Sequence, residues 1–290
     1  MREELRRRLI ETRAHDPGAI AAAAASRPRR PLLGETGRLM IIAADHTARG
    51  ILGVGREQMA MENRFDLLDR VMVALSRPGV DGVLGTADIL EDLLLLGALD
   101  NKIAVGSMNR GGLQGAVFEM DDRFTCYSPS AIVARNLDAG KMLLRVDPDD
   151  PATASTLEAC GNAVSELADA HVPVMIEPFM MMRDTGGRHN DLSPAAVIRS
   201  VVIAAGLGTT SAYTWLKLPV VAEMERVAEA STLPVLLLGG DPAVDQEAMF
   251  GSWKRALALP TVRGFVVGRS LLYPPVGDVA TAVDTAVSLL

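Results

Sequence analysis

Eight short apolar runs recur along the chain from Leu39 onward, each followed by a polar loop and an amphipathic helical stretch. The runs are mostly continuous rather than alternating, which is typical of strands buried on both faces of a parallel sheet. They lie at residues 39–44, 81–85, 102–106, 141–146, 172–177, 213–219, 233–240 and 262–268. The helical stretches lie at 57–76, 88–99, 128–139, 152–170, 193–206, 219–231, 242–258 and 276–289.

Eight strand–helix units within about 250 residues predict an α/β fold, a (β/α)₈ barrel. A doubly wound open sheet is the alternative, but no GxGxxG motif follows the first run to support dinucleotide binding. Two helix starts are marked by Ser128-Pro129 and Ser193-Pro194, because serine caps a helix and proline fits its first turn.

The first 37 residues differ from the repeating pattern that follows them. Residues 2–14 can form a helix, 18–26 are rich in alanine, and the sequence SRPRRP at 26–31 ends that stretch. We therefore expect an N-terminal helical extension at 1–37, packed outside a barrel catalytic domain at 38–290. A partly disordered leader is the alternative interpretation.

Composition excludes several classes of protein. The 290 residues carry a net charge of −7, so no basic surface for nucleic acid is expected. Two cysteines rule out a disulfide framework, and four scattered histidines lack metal-binding spacing, so we expect neither a metal nor a cofactor. No uncharged apolar run reaches the ~18 residues of a membrane helix. The charged N-terminus with Glu3 and Glu4 is unlike a targeting peptide, which favours the cytoplasm.

Lysine is rare in this chain, and one lysine lies in an apolar strand. Only four of the 29 basic residues are lysine, and Lys217 stands within YTWLKLPVV. A buried ammonium tends to lose its proton or to find a carboxylate, and a neutral amine can attack a carbonyl to form a Schiff base. Glu177, at the end of the neighbouring run, is the candidate partner and general acid or base. A structural ion pair with Lys217 or Lys141 is the alternative.

The carboxyl ends of the last two runs carry the pattern of a phosphate site. Gly239-Gly240 lets the backbone approach a ligand closely, and Gly268-Arg269-Ser270 adds a guanidinium clamp. Tight turns with a surface arginine are the alternative.

Two further positions belong to the expected mouth of the barrel. Asp45 and His46 end the first run, where Asp45 could bind a substrate hydroxyl or balance the lysines. Arg145 shares its strand face with Lys141. We therefore expect substrate or phosphate to contact Gly239, Gly240, Gly268, Arg269, Ser270, Arg145 and His46. Trp215 is expected to pack against the outer helices.

Five segments together resemble the class I, Schiff-base aldolases of the tagatose-bisphosphate aldolase type. They are AADHTARG (43–50), KMLLRVDPDDP (141–151), VPVMIEP (172–178), WLKLPV (215–220) and VVGRSLLYP (266–274). The resemblance implies that Lys217 forms the Schiff base, Glu177 transfers protons and Lys141 tunes the pair electrostatically. It also implies that Asp45 contacts substrate hydroxyls, and that a phosphate is held by Gly240 and Arg269.

The resemblance also bears on the substrate. The first strand of that family continues Asp-Gln-Arg where this chain has Asp45-His46-Thr47, which sets it apart from enzymes acting on hexose bisphosphates. The sequence is similar to an actinobacterial group of barrels often labelled deoxyribose-phosphate aldolase and often encoded near inositol-breakdown genes. That enzyme type uses a second lysine on strand 7, whereas 233–240 has none. The expected substrate is 2-deoxy-5-keto-gluconate 6-phosphate, cleaved to dihydroxyacetone phosphate and malonate semialdehyde.

Two other functions compete with the aldolase. One is a metal-independent sugar-phosphate isomerase or epimerase, and the other is a non-catalytic barrel that senses a sugar phosphate. In each case the partner is a small phosphorylated sugar rather than nucleic acid or a membrane. The very apolar stretch 88–99 favours a homo-oligomer formed through outer helices.

Overall fold

A computed structural model of the chain describes residues 1–109, 111–184, 187–239 and 245–290. In these ranges eight parallel strands pair side by side, and the last pairs with the first, which closes the barrel. They are β1 (Leu39–Ala43), β2 (Gly82–Gly85), β3 (Ile103–Ser107), β4 (Ala139–Val146), β5 (Val174–Asp184), β7 (Thr214–Leu218), β8 (Val235–Leu238) and β9 (Val262–Val267). The predicted (β/α)₈ barrel is confirmed.

The helices between the strands form the outer layer. They are α3 (Arg64–Ser76), α4 (Ala87–Leu95), α5 (Pro129–Ala134), α6 (Ala152–Asp169), α7 (Pro194–Ala205), α8 (Met224–Ala228), α9 (Gln246–Leu257), α10 (Arg269–Leu272) and α11 (Val279–Val287). The side chains of Ser128 and Ser193 cap α5 and α7, as the Ser-Pro pairs predicted. The expected helix start at 57 was wrong: α3 begins seven residues later, where the Asn63 side chain accepts two backbone N–H bonds.

Side chains along each strand point alternately into the barrel and toward the helices, which gives the protein an inner and an outer hydrophobic core. One buried cluster gathers the inward residues of the strands, including Ile41, Leu84, Met175 and Leu236. Trp215 belongs to this inner cluster, so the expectation that it packs against the outer helices was wrong. It shares the face of β7 with Lys217, two residues further along. The barrel interior is therefore apolar below the lysine and polar at its mouth.

The N-terminal segment forms two helices, α1 (Glu3–His15) and α2 (Gly18–Ser26), of which α2 packs on α4. From α1, Arg13 donates to Asp92 at 2.7 and 2.9 Å, and Arg8 donates to the Leu95 carbonyl at 2.7 Å. The apolar stretch 88–99 is thus covered in part by the chain's own N-terminal helices. Its apolar character therefore has an explanation that does not require a second copy of the chain.

Arginines that follow α2 attach the chain to the amino-terminal end of the barrel strands. Arg27 and Arg29 both donate to Asp138, just before β4, at 2.9 Å, and Arg30 pairs with Asp81, just before β2. Leu32 packs against the inner cluster. Residues 27–32 are thus attached to the end of the barrel opposite the expected site, while the division at residue 37 stays a prediction.

An extra hairpin rises from the mouth of the barrel. Strand β5 continues beyond its parallel neighbours to Asp184, where it pairs antiparallel with β6 (Gly187–Asp191). This hairpin brings Asn190 and Leu192 to the rim of the central cavity. No helix among the described residues has both the length and the apolarity to cross a membrane.

Candidate active site

A glutamate between two lysines occupies the mouth of the barrel. Glu177 lies on β5 next to β7, where Lys217 Nζ donates to its Oε1 at 2.7 Å. On the other side, Lys141 of β4 forms an ion pair with Glu177 Oε2. All three side chains point inward because their strand positions share the inner face. The two lysines, 76 positions apart in the chain, thus meet on one carboxylate.

A second carboxylate completes the cluster. Asp45, two residues after the end of β1, has its Oδ2 3.5 Å from Lys141 Nζ and accepts a hydrogen bond of 2.9 Å from the Ser107 hydroxyl. Its residue is 1% exposed, so the charge is shielded from solvent. The described residues therefore place two buried ammonium groups against two carboxylates, which is the condition under which buried charges are tolerated.

The electrostatics of the cluster hold Glu177 in its ionised form. Burial by itself would raise the pKa of this carboxyl, but the charges of Lys141 and Lys217, each also hydrogen-bonded to it, outweigh burial. The pKa of Glu177 is consequently held far below its usual range. Glu177 therefore carries a negative charge at physiological pH and has no proton to donate.

A cavity of about 680 Å³ opens above the cluster. Lys217, Glu177 and Asp45 belong to its wall, whereas Lys141 does not. Lys141 is 1% exposed and lies beneath the carboxylate that it contacts. A molecule in the cavity can therefore reach the amine of Lys217 but not that of Lys141.

One side of this cavity gathers the residues predicted to bind phosphate. Gly239, Gly268, Arg269 and Ser270 all contribute to its wall, while Gly240 lies outside the described residues. A side chain at position 268 would place its Cβ 2.3 Å from the Ala43 carbonyl oxygen, so only glycine fits there. The absence of a side chain thus lets the backbone just before Arg269 pack closely against the end of β1.

His46 lies between the lysine cluster and the arginine. Desolvation, together with the positive charges of Arg269 and Lys217, lowers the pKa of His46 to about 3. The imidazole is therefore neutral at physiological pH. It can offer one donor and one acceptor to a ligand in the cavity without adding charge.

The structure does not bring Arg145 to the cavity. It points inward like Lys141, but its guanidinium is bound by both carboxylate oxygens of Asp122, at 2.7 and 2.8 Å, and contacts Glu119. Both acids lie in the loop between β3 and α5. Arg145 therefore anchors this loop to the end of β4.

Three polar residues of the site were not among the predicted ones. Ser107 orients Asp45, and Asn109 bonds to both backbone groups of Leu143, which fixes β4 two residues beyond Lys141. Arg49 lines the cavity four residues after Asp45. Their position in the sequence could have identified them as site residues, because all three follow the ends of predicted strands. Among the described residues, no three acid, histidine or cysteine side chains are grouped to hold a metal ion.

The fold and the site define a (β/α)₈ barrel with a lysine–carboxylate centre facing its cavity. Within that class, the chain belongs to the Cgl0159-like family, which residues 37–287 match. The crystal structure of Cgl0159 from Corynebacterium glutamicum (Brevibacterium flavum) is 57% identical, with a TM-score of 0.97 over 100% of this chain and 97% of that one. No curated protein matches the chain.

More distant structures share the fold. A Schiff-base-forming fructose-1,6-bisphosphate aldolase is 15% identical, with a TM-score of 0.67 over 93% of this chain and 99% of that one. An archaeal fructose 1,6-bisphosphate aldolase is 16% identical, with a TM-score of 0.66 over 93% and 98%. A fructose-bisphosphate aldolase from Slackia heliotrinireducens is 15% identical, with a TM-score of 0.63 over 97% and 84%. At these identities the similarity concerns the fold alone.

Proposed function

We propose that this protein is a class I aldolase that cleaves a phosphorylated keto-sugar through a Schiff base on Lys217. The observation that carries the proposal is the position of the Lys217 amine. It lies on the cavity wall and is hydrogen-bonded to an ionised glutamate, while the second lysine is covered. Because Lys141 also pairs with Glu177, Lys217 can lose its proton without leaving that carboxylate unpaired, and the neutral amine is the form that attack requires.

The proposed reaction uses each group once and returns it. The Lys217 amine adds to the ketone carbon, and loss of water gives an iminium ion. A substrate hydroxyl passes its proton to Glu177 while the neighbouring carbon–carbon bond breaks, and the electron pair of that bond enters the iminium to form an enamine. The aldehyde leaves. The enamine carbon regains the proton, and water hydrolyses the new iminium to release the ketone and free Lys217.

The phosphate of the substrate belongs, in this proposal, beside Arg269. That arginine follows β9, and its neighbours Gly239, Gly268 and Ser270 line the same part of the cavity. Guanidinium and backbone N–H groups are the donors that phosphate esters prefer. Asp45 and the neutral His46 also line the cavity, and in this proposal they bind the hydroxyl groups on the side of the ketone away from the phosphate.

The specific substrate that we propose is 2-deoxy-5-keto-gluconate 6-phosphate, an intermediate of inositol breakdown, with dihydroxyacetone phosphate and malonate semialdehyde as products. The support for it is the sequence resemblance together with a cavity that is large enough for a six-carbon phosphate. A cytoplasmic location and a homo-oligomeric state stay predictions from the sequence.

Borohydride trapping tests the proposal. The protein is incubated with dihydroxyacetone phosphate and reduced, and the modified peptide is located by mass spectrometry. We expect an adduct on Lys217 that disappears in Lys217→Met and persists in Lys254→Met, which removes an exposed lysine of α9. An adduct on Lys141 would overturn the assignment of the lysine. No adduct, beside a working control aldolase, would favour the isomerase or the sensing barrel.

A further inference from the structure

A buried arginine forms part of the cavity wall away from the phosphate side. Arg49 lies in the short 3₁₀ turn after β1, is 5% exposed and lines the same cavity as Lys217. Its Nε donates to the Gly112 carbonyl at 2.8 Å, which fixes the guanidinium against the loop between β3 and α5. The side chain is therefore held in position before any ligand enters.

The end of this guanidinium lacks close partners within the described residues. Its nearest carboxylate oxygen, Asp122 Oδ1, lies 4.0 Å from Nη1, and no protein acceptor lies within hydrogen-bond distance of Nη1 or Nη2 in the described ranges. Asp122 is already engaged by Arg145 through both of its oxygens. Arg49 thus presents a fork of N–H donors to the cavity.

The rest of this side chain is buried and its Nη atoms open onto the cavity, so a ligand there can supply the acceptors that the described residues do not. A planar guanidinium pairs best with the two oxygens of a carboxylate or a phosphate. Around this guanidinium the positive charge of Arg145 is accompanied by the carboxylates of Asp122, Glu119 and Glu177. A ligand carboxylate brings less negative charge to these acids than a phosphate would.

The position of Arg49 indicates which half of the substrate would carry the group that accepts its hydrogen bonds. Arg269 follows β9 and contacts the Gly53 carbonyl, whereas Arg49 contacts the loop that follows β3. In the closed sheet, β9 and β3 lie on opposite sides of β1. An extended ligand with its phosphate at Arg269 would therefore direct its far end, beyond the carbon bonded to Lys217, toward Arg49.

We propose that Arg49 binds a carboxylate on the aldehyde half of the substrate and so selects carboxylate-bearing aldehydes. This inference rests on the proposed aldolase function and adds to it the residue that distinguishes acidic aldehydes from neutral ones.

Aldol synthesis tests the selection. Dihydroxyacetone phosphate is combined with malonate semialdehyde, with glyceraldehyde 3-phosphate or with the neutral propanal, and kcat/KM is measured for wild type, Arg49→Gln and Arg49→Lys. We expect Arg49→Gln to lower the ratio of kcat/KM for malonate semialdehyde over propanal about 10- to 100-fold, the effect of one charge-assisted hydrogen-bonded pair. Arg49→Lys, which keeps the charge without the fork, should give an intermediate ratio. Arg123→Gln, on the exposed surface of the same loop, should keep the wild-type ratio.

Three results would overturn the inference: an unchanged ratio in Arg49→Gln, an equal loss with both aldehydes, or a wild-type preference for glyceraldehyde 3-phosphate over malonate semialdehyde. A binding measurement separates it from the proposed function. Calorimetric titration with 3-hydroxypropanoate needs no turnover, and we expect a Kd at least tenfold weaker in Arg49→Gln than in wild type. An equal Kd, or no binding to wild type, refutes the carboxylate site. Absence of the borohydride adduct refutes the aldolase instead.

Discussion

Replacement of His46 by asparagine should make the free energy of unfolding less dependent on pH on the acidic side of neutrality. In the folded protein, desolvation and the charges of Arg269 and Lys217 lower the pKa of His46 to about 3. In the unfolded chain the imidazole titrates near 6.5. Between these two values the unfolded state holds one proton more than the folded state. His46 therefore contributes stability that is present above pH 6.5 and is lost as the pH falls toward 3.

The size of this effect follows from the linkage relation. A difference of one bound proton changes the free energy of unfolding by about 1.4 kcal/mol per pH unit. From pH 6 to pH 4, the wild type should lose about 2–3 kcal/mol more than His46→Asn. This is an upper bound, because the His46 side chain is partly exposed and solvent screens the charges that act on it.

Urea unfolding at pH 4, 5, 6 and 7 measures the effect. The difference in unfolding free energy between the wild type and His46→Asn should shrink steadily as the pH falls, since other titrating groups cancel in the comparison. Thr47→Ala alters the same 3₁₀ turn without removing a titratable group and should run parallel to the wild type. A parallel line for His46→Asn as well would refute the argument, because it would mean that folding leaves the proton affinity of this imidazole unchanged.

Three other substitutions test separate parts of the structure. Glu177→Gln should lower kcat about 10²- to 10⁴-fold in a steady-state cleavage assay, because the amide cannot take up the substrate proton; a loss below threefold would remove Glu177 from the mechanism. Lys141→Met should slow borohydride trapping without moving the adduct from Lys217, and an adduct at a new lysine would contradict the assigned roles. Asp138→Ala should destabilise the protein by about 3–5 kcal/mol in urea unfolding, since it leaves the buried Arg27 without its carboxylate. A loss below 1 kcal/mol would show that the arginines beneath the barrel contribute little to stability.

The sequence predicts the barrel well because its signal is local and repeated. Continuous apolar runs and amphipathic stretches each reflect burial at their own positions, and eight repetitions leave few alternative folds. The meeting of Lys217 with Glu177 was also predictable, because both lie on the inward face of neighbouring strands. Local sequence patterns are enough to predict a contact when both residues lie on neighbouring strands and face the same side of the sheet.

The sequence does not predict contacts between residues that lie far apart in the chain and outside neighbouring strands. Arg145 points into the barrel, as a ligand-binding residue would, yet its guanidinium is hydrogen-bonded to Asp122, which lies 23 residues earlier in the chain. The apolarity of 88–99 indicated a contact surface, but no local pattern tells whether α1 and α2 or a second copy of the chain contacts it. The β5–β6 hairpin was missed because its residues, FMMMRDTGGRHND, have no apolar alternation that extends the strand.

The proposed mechanism gives the two lysines different roles because they lie at different depths. A lone lysine facing Glu177 would form a neutral pair, in which the amine keeps its proton and attacks no carbonyl. Lys141, 1% exposed and outside the cavity wall, can satisfy one oxygen of Glu177 permanently. Lys217 can then give up its proton without leaving the carboxylate unpaired, and its amine is the one that faces the cavity. In the proposed mechanism the covered lysine thus makes the accessible one reactive, and this difference in depth is the reason for proposing Lys217 as the Schiff-base lysine.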